Sequence, residues 1–142
     1  MRSKENNKVI FQELDKIKVF DGDVLKVLKK SELIFRDFGE AYFSIIKSGS
    51  IKGWKLHKRM TCNLVVPIGE VEFIISKDLF SFNKYTIGVH NYGRLTIPPN
   101  YWFAFKGNFH HDSLILNIAD IEHNPDEYNK KLLTEVEYDW SN

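Results

Sequence analysis

The stretch Ile51-Lys-Gly-Trp-Lys-Leu-His-Lys-Arg59, followed by Asn63-Leu-Val-Val-Pro-Ile-Gly-Glu-Val71, decides the fold. If the first piece is a strand, its alternation places three cationic or titratable side chains on one face: Lys55, His57 and Arg59. Trp54 and Leu56 then lie on the other face. Charged groups are costly to bury without partners, so such a face looks either into a polar cavity or out to water.

Length and composition indicate one domain, residues 1–142, in which the polar residues 1–8 are predicted to be frayed. Twenty basic and nineteen acidic side chains nearly cancel, so the overall charge does not predict nucleic-acid binding. The N-terminus lacks the apolar core of a signal peptide, and no apolar run has the length of a membrane span. We therefore expect a cytoplasmic protein without membrane contact. The single cysteine, Cys62, excludes an internal disulfide and is interpreted as a buried structural thiol.

Short runs of aromatic and branched residues, separated by Gly, Asn and Pro, recur at intervals of roughly ten residues from residue 40 onward. The predicted strands are Ala41–Lys47, Ile51–Arg59, Asn63–Pro67, Val71–Ser76, Tyr85–Val89, Arg94–Ile97, Tyr101–Lys106 and Leu114–Ala119. This pattern predicts an all-β sandwich or barrel. Earlier, Val9–Val19 indicates one or two strands, and Val24–Lys30 leaves strand and helix open. In the tail, Asn124-Pro-Asp-Glu127 predicts a short helix, and Tyr138-Asp-Trp140 is expected to dock on the body.

Several motifs, read in order, carry a resemblance to a known family. They are Asp21-x-x-Val24, Gly39-Glu-Ala-Tyr-Phe-Ser44, Ile51-Lys-Gly-Trp-Lys-Leu-His57, Val66-Pro-Ile-Gly-Glu-Val71, Arg94-Leu-Thr-Ile-Pro-Pro99, Asn117-Ile-Ala-Asp-Ile-Glu-His-Asn-Pro125 and Tyr138-Asp-Trp140. From residue 9 to residue 140 the chain resembles the dTDP-4-dehydrorhamnose 3,5-epimerase superfamily. It resembles in particular the short relatives from polysaccharide gene clusters that carry a Trp-Lys-x-His-Lys core.

The resemblance implies a cupin-type jelly-roll barrel, a homodimer, and a sugar-nucleotide site in the barrel mouth. In these epimerases a His abstracts the proton beside the ketone of a 4-keto sugar, and a Tyr on the opposite side returns a proton. Basic side chains stabilise the enolate and hold the diphosphate. No cofactor is implied, because the ketone of the substrate itself acidifies the proton.

This chain departs from the family pattern at three positions. The pattern Arg-Gly-aromatic-His aligns with Lys52-Gly-Trp-Lys55, so Lys55 stands where the catalytic His is expected. His57 falls where the related 3,4-ketoisomerases carry a second His. The Tyr position near the last strand holds Asn117, and the distant His position holds Phe103.

His57 and Lys55 are the predicted catalytic residues. His57 titrates near neutral pH and suits a base, whereas a free Lys has a pKa near 10.4 and needs burial or neighbouring cations to act as one. The predicted substrate-binding residues are Arg59, Asn63, Glu72, Tyr92, Arg94, Tyr101 and Asn117. No metal site is predicted, because Lys55 and Phe103 replace two expected His ligands and no carboxylate follows between residues 58 and 69.

The leading hypothesis is an enzyme that epimerises or keto-isomerises a nucleotide-linked 4-keto-6-deoxy sugar for surface polysaccharide, by proton abstraction alpha to the ketone. The loss of the standard His and Tyr motivates a second reading, a non-catalytic barrel that binds a sugar nucleotide or glycan as an accessory subunit. A third reading is an interaction module whose exposed aromatic side chains dock a partner enzyme. Candidates for a proton donor in place of Asn117 are Tyr42, Tyr92 and Tyr101.

Overall fold

The computed structural model describes residues 7–141 and contains almost no helix. Its strands are β1 (Ile10–Glu13), β2 (Lys16–Ile17), β3 (Val24–Leu25), β4 (Glu40–Ile46), β5 (Ile51–His57), β6 (Cys62–Ile68), β7 (Glu70–Ser76), β8 (Asn83–Gly88), β9 (Gly93–Ile97), β10 (Trp102–Gly107), β11 (Ser113–Ala119) and β12 (Tyr128–Lys130). Residues 1–6, most of the segment predicted to be frayed, lie outside the described residues. Of the ambiguous run Val24–Lys30, only the first two residues form a strand.

Two five-stranded antiparallel sheets form the body. Their strand orders are β1-β9-β6-β11-β4 and β12-β5-β10-β7-β8, and a small β2-β3 hairpin stands beside them. Apart from the β7–β8 hairpin, successive strands from β4 to β11 alternate between the two sheets, which is the connectivity of a jelly roll. The predicted all-β, cupin-type fold is confirmed. No helix within residues 7–141 is long and apolar enough to cross a membrane.

The main core fills the space between the two sheets. Its buried members include Ile46, Leu64, Val66, Phe73, Ile75, Leu95, Phe103 and Ile115. They come from both inner faces, because alternate residues of each strand point inward. Burial of this apolar surface is the main term that holds the sheets together.

A second cluster lies on the outer face of the β5 sheet, where the C-terminal segment covers it. Trp54, only 1% exposed, contacts Tyr138 and Trp140 with ring centroids 6.4 Å and 6.0 Å away. The docking predicted for Tyr138-Asp-Trp140 is therefore present. The predicted helix start at Pro125 gives only a 3-10 turn, Pro125–Glu127, which Asn124 caps by accepting from the Asp126 amide. The next residues pair with β5 as β12, so a helix cannot continue there.

Candidate functional site

A cavity of about 250 Å³ lies between the sheets. Its lining comes from both of them: Tyr42, Ser44, Lys52, Gly53, Lys55, His57, Cys62, Leu64, Phe73, Phe103, Phe105, Ile115 and Asn117. Most of the wall is apolar, with polar groups on β4, β5 and β11. A mostly apolar cavity with a few convergent polar groups is the usual form of a small-molecule site.

A bulge in β5 sets which of its side chains enter the cavity. Lys55 pairs with Phe103 and Gly53 with Ala104, so Trp54 is the extra residue. The bulge resets the alternation, which is why Lys52 and Lys55 both line the cavity although they are three positions apart. Gly53 has a φ of +148°, and a Cβ at this position would meet the Ala104 backbone, so glycine is required.

The catalytic pair predicted from alternation, Lys55 and His57, does line the cavity, but Arg59 does not. The strand ends at His57 because the chain then turns onto the C-terminal segment. The Lys58 amide donates to the Glu127 carbonyl at 2.7 Å, and the Arg59 amide donates to Glu127 Oε2 at 3.2 Å. Arg59 consequently sits in a bend with its side chain exposed, and the prediction that it continues the strand face is wrong.

Glu127 is the important residue that sequence reasoning missed. Its carboxylate is hydrogen bonded through Oε1 to His57 Nδ1, and it is 1% exposed. Oε2 accepts from the backbone amides of Arg59 and Met60, each at 3.2 Å. A carboxylate that accepts backbone donors on one oxygen is fixed in place, so it fixes the His57 ring and its tautomer. The only sequence signal was an acidic residue just after the Asn124-Pro125 turn.

The His57–Glu127 pair favours a neutral imidazole beside an ionised carboxylate. Burial lowers the pKa of His57, and the hydrogen bond that His57 donates to Glu127 offsets only part of that effect. Burial alone would raise the pKa of Glu127, but the hydrogen bonds from His57 and from the Arg59 and Met60 amides lower it overall. At neutral pH the proton of His57 therefore lies on Nδ1, toward Glu127. The other nitrogen, Nε2, is left as a base.

Lys55 and His57 share an aromatic neighbour, Tyr128 of β12. The Lys55 ammonium nitrogen lies 4.4 Å from the centroid of the Tyr128 ring, and the His57 ring contacts the same ring edge-on with centroids 5.9 Å apart. Lys130 pairs directly with Lys55 across the two strands, and its Nζ lies 5.4 Å from the same ring. Burial lowers the pKa of Lys55, and the charge of Lys130 lowers it further. Phe103 packs against the His57 ring, with centroids 6.1 Å apart.

The opposite wall carries a chain of hydrogen bonds that ends at Tyr42. Thr96 Oγ1 donates to Asn63 Oδ1 at 2.8 Å, the backbone N–H of Asn63 donates to Asn117 Oδ1 at 3.1 Å, and Asn117 Nδ2 donates to Tyr42 Oη at 2.9 Å. Because Tyr42 Oη accepts from Asn117, its own proton remains to be donated. Burial raises the pKa of Tyr42, against the opposing effect of that hydrogen bond, so the phenol stays protonated. Asn117 lines the cavity as predicted, whereas Asn63 lies behind it.

Two other predicted ligands, Arg94 and Tyr92, are engaged away from the cavity. Arg94 is buried, donates to the Val27 carbonyl at 2.6 Å and lies 2.8 Å from a Glu32 oxygen. Tyr92 donates to the Lys26 carbonyl at 2.8 Å. Both side chains therefore hold the segment after β3 against the first sheet and do not line the cavity.

Glu72 and Tyr101 also lie outside the cavity lining. Glu72 pairs with Lys84 at 3.3 Å on the neighbouring strand, and Tyr101 donates to the Asn7 carbonyl at 3.0 Å. Lys77 stacks over the Tyr101 ring at 5.0 Å. The structure thus brings together Lys55, His57 and Asn117 from the predicted set with Tyr42, one of the three tyrosines considered as proton donors, and adds Glu127 and Tyr128.

Cys62 lines the cavity but is inert as a nucleophile. Burial raises the pKa of its thiol to about 12. The thiolate is the reactive form, so this environment suits the structural role expected for Cys62. Within residues 7–141, no three His, Cys, Asp or Glu side chains are grouped so as to hold a metal ion.

A jelly-roll barrel with a buried His–carboxylate pair in the wall of its cavity places the chain among the cupin-type barrels. More particularly, the chain belongs to the FdtA family, described as WxcM-like, C-terminal, whose model matches residues 7–137. The superfamily resemblance seen in the sequence is confirmed. No curated protein gives a match.

Solved structures of sugar-nucleotide enzymes share the fold. A dTDP sugar isomerase from Desulfovibrio desulfuricans G20 is 28% identical, with a TM-score of 0.88 over 94% of this chain and 90% of that one. The 3,4-ketoisomerase QdtA from Thermoanaerobacterium thermosaccharolyticum, in complex with TDP, is 17% identical, with a TM-score of 0.74 over 87% and 88%. A dTDP-4-dehydrorhamnose 3,5-epimerase from Sulfolobus tokodaii is 17% identical, with a TM-score of 0.77 over 92% and 80%.

Proposed function

We propose that this protein is a sugar-nucleotide-modifying enzyme that epimerises or keto-isomerises a nucleotide-linked 4-keto-6-deoxy sugar. The observation that carries the proposal is His57, which lies in the cavity wall with its Nδ1 hydrogen bonded to the buried carboxylate of Glu127. The similarity to dTDP-sugar isomerases and epimerases supports the substrate class. A role in surface polysaccharide synthesis and a cytoplasmic location belong to the same proposal.

The proposed chemistry is proton abstraction alpha to the ketone. His57 Nε2 takes the proton from the carbon beside the carbonyl, and Glu127 stabilises the imidazolium that forms. A positioned general base typically contributes about 10²–10⁴-fold to the rate. Glu127 does not touch the substrate; it is a positioning residue, because it acts by holding the His57 ring and tautomer.

Tyr42 is the proposed proton donor. It stands on the sheet opposite His57, lines the same cavity, and has its hydroxyl oriented by Asn117. If a group on one wall removes a proton and a group on the opposite wall returns one, the configuration of the carbon between them is inverted. Asn117, which occupies the position of the family Tyr, then serves by orienting Tyr42.

The remaining polar side chains are assigned roles according to where they lie relative to the cavity. Lys55 and Asn117 stand beside the sugar, while Arg59, exposed just beyond the end of β5, is proposed to meet the diphosphate as the ligand leaves the barrel. Asn63 supports Asn117 from behind. Glu72, Tyr92, Arg94 and Tyr101 are excluded from the proposed site because they contact other parts of the chain.

The proposed assembly is a homodimer. The outer face of β4 carries Phe43, 64% exposed, and Ile45, 58% exposed, next to Leu116 and Leu114 of the paired strand β11. Isolated exposed apolar residues are ordinary, but a contiguous apolar patch marks an interaction surface. β4 is also an edge strand whose inward residues Tyr42 and Ser44 line the cavity, so a second copy on this face would stiffen that wall.

The test is proton NMR of dTDP-4-keto-6-deoxyglucose with the protein in deuterated water. We expect loss of the C3 or C5 proton signal, which names the reacting carbon. His57→Gln should abolish the exchange, and His90→Gln, a change at an exposed His outside the cavity, should not. Saturable binding without exchange would refute the enzymatic proposal in favour of a non-catalytic sugar-nucleotide binder.

A further inference from the structure

The amine of Lys55 has an unusual setting for a lysine. It lines the cavity on the same strand as His57, is half-buried, and lies against the face of Tyr128. No carboxylate within residues 7–141 lies at ion-pair distance from it. Its nearest charged neighbour on the adjacent strand is another cation, Lys130. The ring of Tyr128 and the charge of Glu127 favour the ammonium, but no ion pair neutralises it within residues 7–141.

A lysine that is desolvated and set beside a second cation is easier to deprotonate. Like charges directly opposite on paired strands repel, and here the repelling partner is the more exposed one. Burial and the neighbouring charge both act to lower the pKa of Lys55. These two influences are how proteins activate lysines that attack carbonyl groups.

The neighbouring Lys52 shows the contrast. It also lines the cavity on β5, but its Nζ donates to the Ile45 carbonyl at 2.8 Å and is held there. Lys55 has no such backbone acceptor among the hydrogen bonds of the described residues. Of the two cavity lysines, Lys55 is the one whose amine is free to approach a ligand.

We propose that Lys55 is a nucleophile that forms a Schiff base with the ketone of the bound sugar. This inference rests on the proposed function, which supplies the keto sugar. It goes beyond that function because an enolising base alone needs no covalent bond to the protein.

The atoms and charges balance without an added reagent. Neutral Lys55 Nζ adds to the carbonyl carbon, the carbonyl oxygen takes one proton from the amine and one from solvent and leaves as water, and a protonated imine remains. The imine nitrogen withdraws electrons from the adjacent carbon, so His57 Nε2 removes its proton and an enamine forms. Return of a proton from the opposite wall restores the imine in the new configuration. The water then adds back, which releases the ketone and the free amine.

The experiment is reductive trapping with cyanoborohydride, which reduces protonated imines in preference to ketones. The protein is incubated with dTDP-4-keto-6-deoxyglucose and the reductant, and its intact mass is measured before peptide mapping. We expect one adduct per chain, with the mass of the ligand less one oxygen atom, on Lys55. Lys55→Arg keeps the positive charge and should lower adduct formation at least tenfold. Lys52→Arg, the matched control on the same strand, should leave the adduct in place.

The outcomes separate this inference from the proposed function. Deuterium exchange without a trapped adduct would overturn the Schiff base and leave the isomerase proposal standing. An adduct on Lys55 without exchange would support the Schiff base and contradict the isomerase proposal. Absence of both, or equal trapping in Lys55→Arg, would overturn the Schiff base. Retained melting temperature in Lys55→Arg shows that a lost adduct is not a lost fold.

Discussion

Replacing Glu127 with Gln keeps the size of the side chain and removes its negative charge, so it tests how His57 is held. One carboxylate oxygen faces two backbone donors, the amides of Arg59 and Met60, and the other faces His57. The Gln oxygen must turn toward the two amides, because placing an NH₂ group there would leave three donors facing one another. The amide nitrogen then points at His57 Nδ1.

An amide donor at Nδ1 reverses the tautomer of His57. Nδ1 becomes the acceptor, the ring proton moves to Nε2, and the base on the cavity side is lost. The comparable carboxylate-to-amide change in a serine-protease triad lowers kcat by about 10⁴-fold for the same reason. Since a general base contributes about 10²–10⁴-fold, we expect Glu127→Gln to lower the exchange rate about 10³-fold. That loss of rate equals about 4 kcal/mol of transition-state stabilisation, at 1.36 kcal/mol per tenfold change in rate.

The pH profile gives a second readout that a merely structural role would not move. Burial places the pKa of His57 below its ordinary value of 6.5, with Glu127 opposing the shift. The rate should therefore rise with pH through that lowered pKa and level off above 6.5. Without the carboxylate the pKa falls further, so in Glu127→Gln any remaining rising limb should shift to lower pH.

The assay is the deuterium exchange rate against pH, together with nitrogen-15 spectra of labelled histidine that report the tautomer of His57. Asp126→Asn is the matched control, because it removes the same charge from the adjacent, exposed residue. Exchange at the wild-type rate in Glu127→Gln would refute the reasoning, as would an unchanged His57 tautomer. A comparable loss in Asp126→Asn would show that overall charge, and not the hydrogen bond, is responsible.

Four further outcomes follow from the structure. Tyr42→Phe should retain wash-out of the substrate proton but lower product formation about 10²-fold, measured by NMR, and equal loss of both would contradict its role as donor. Phe43→Ser should shift the molar mass measured by light scattering from that of a dimer toward that of a monomer, and an unchanged mass would show that the interface is not at Phe43. Trp54→Ala should cost about 3–5 kcal/mol of unfolding free energy in urea titrations, whereas less than 1 would show that the C-terminal cover repacks. Because the folded state holds His57 neutral, its contribution to stability should be complete above pH 6.5 and decline as the pH falls through the lowered pKa. Glu127 also has a lowered pKa and should add a further loss of stability below pH 4.5. A melting temperature that stays constant across both pH ranges would contradict this prediction.

Much of the fold could be predicted from the sequence, because the two-residue period of strands and the residues typical of turns are local signals. The cavity face of β5 could be read for the same reason, since Lys55 and His57 are two residues apart on one strand. Arg59 could not, because its direction depends on a bend made by contacts to Glu127, sixty-eight residues later. The local alternation of residues does not predict where a strand ends when contacts with a distant segment of the chain end it.

The placement of other site residues also depends on long-range contacts. Arg94 and Tyr92 carry the side-chain types that bind phosphates and sugars, yet both are used to hold the chain near Val27. Glu127 looked like an ordinary acidic residue of a turn, and only the folded chain places it under His57. Which polar residue meets a ligand and which meets the backbone is decided by long-range contacts.

The bulge at Trp54 has a consequence for how this strand tolerates insertion and deletion. A regular strand would face Lys52 away from the cavity when Lys55 and His57 face into it, and the extra residue is what allows all three inside. Loss of one residue between Lys52 and Lys55 would restore regular pairing with β10 and strengthen the sheet locally. Lys52 and Lys55 would then be two positions apart and would still share a face, whereas a one-residue insertion or deletion elsewhere in β5 would exchange inside for outside on one part of the strand. Point substitutions along this strand can therefore have graded effects on the cavity. A change in the length of the strand changes which side chains face the cavity all at once.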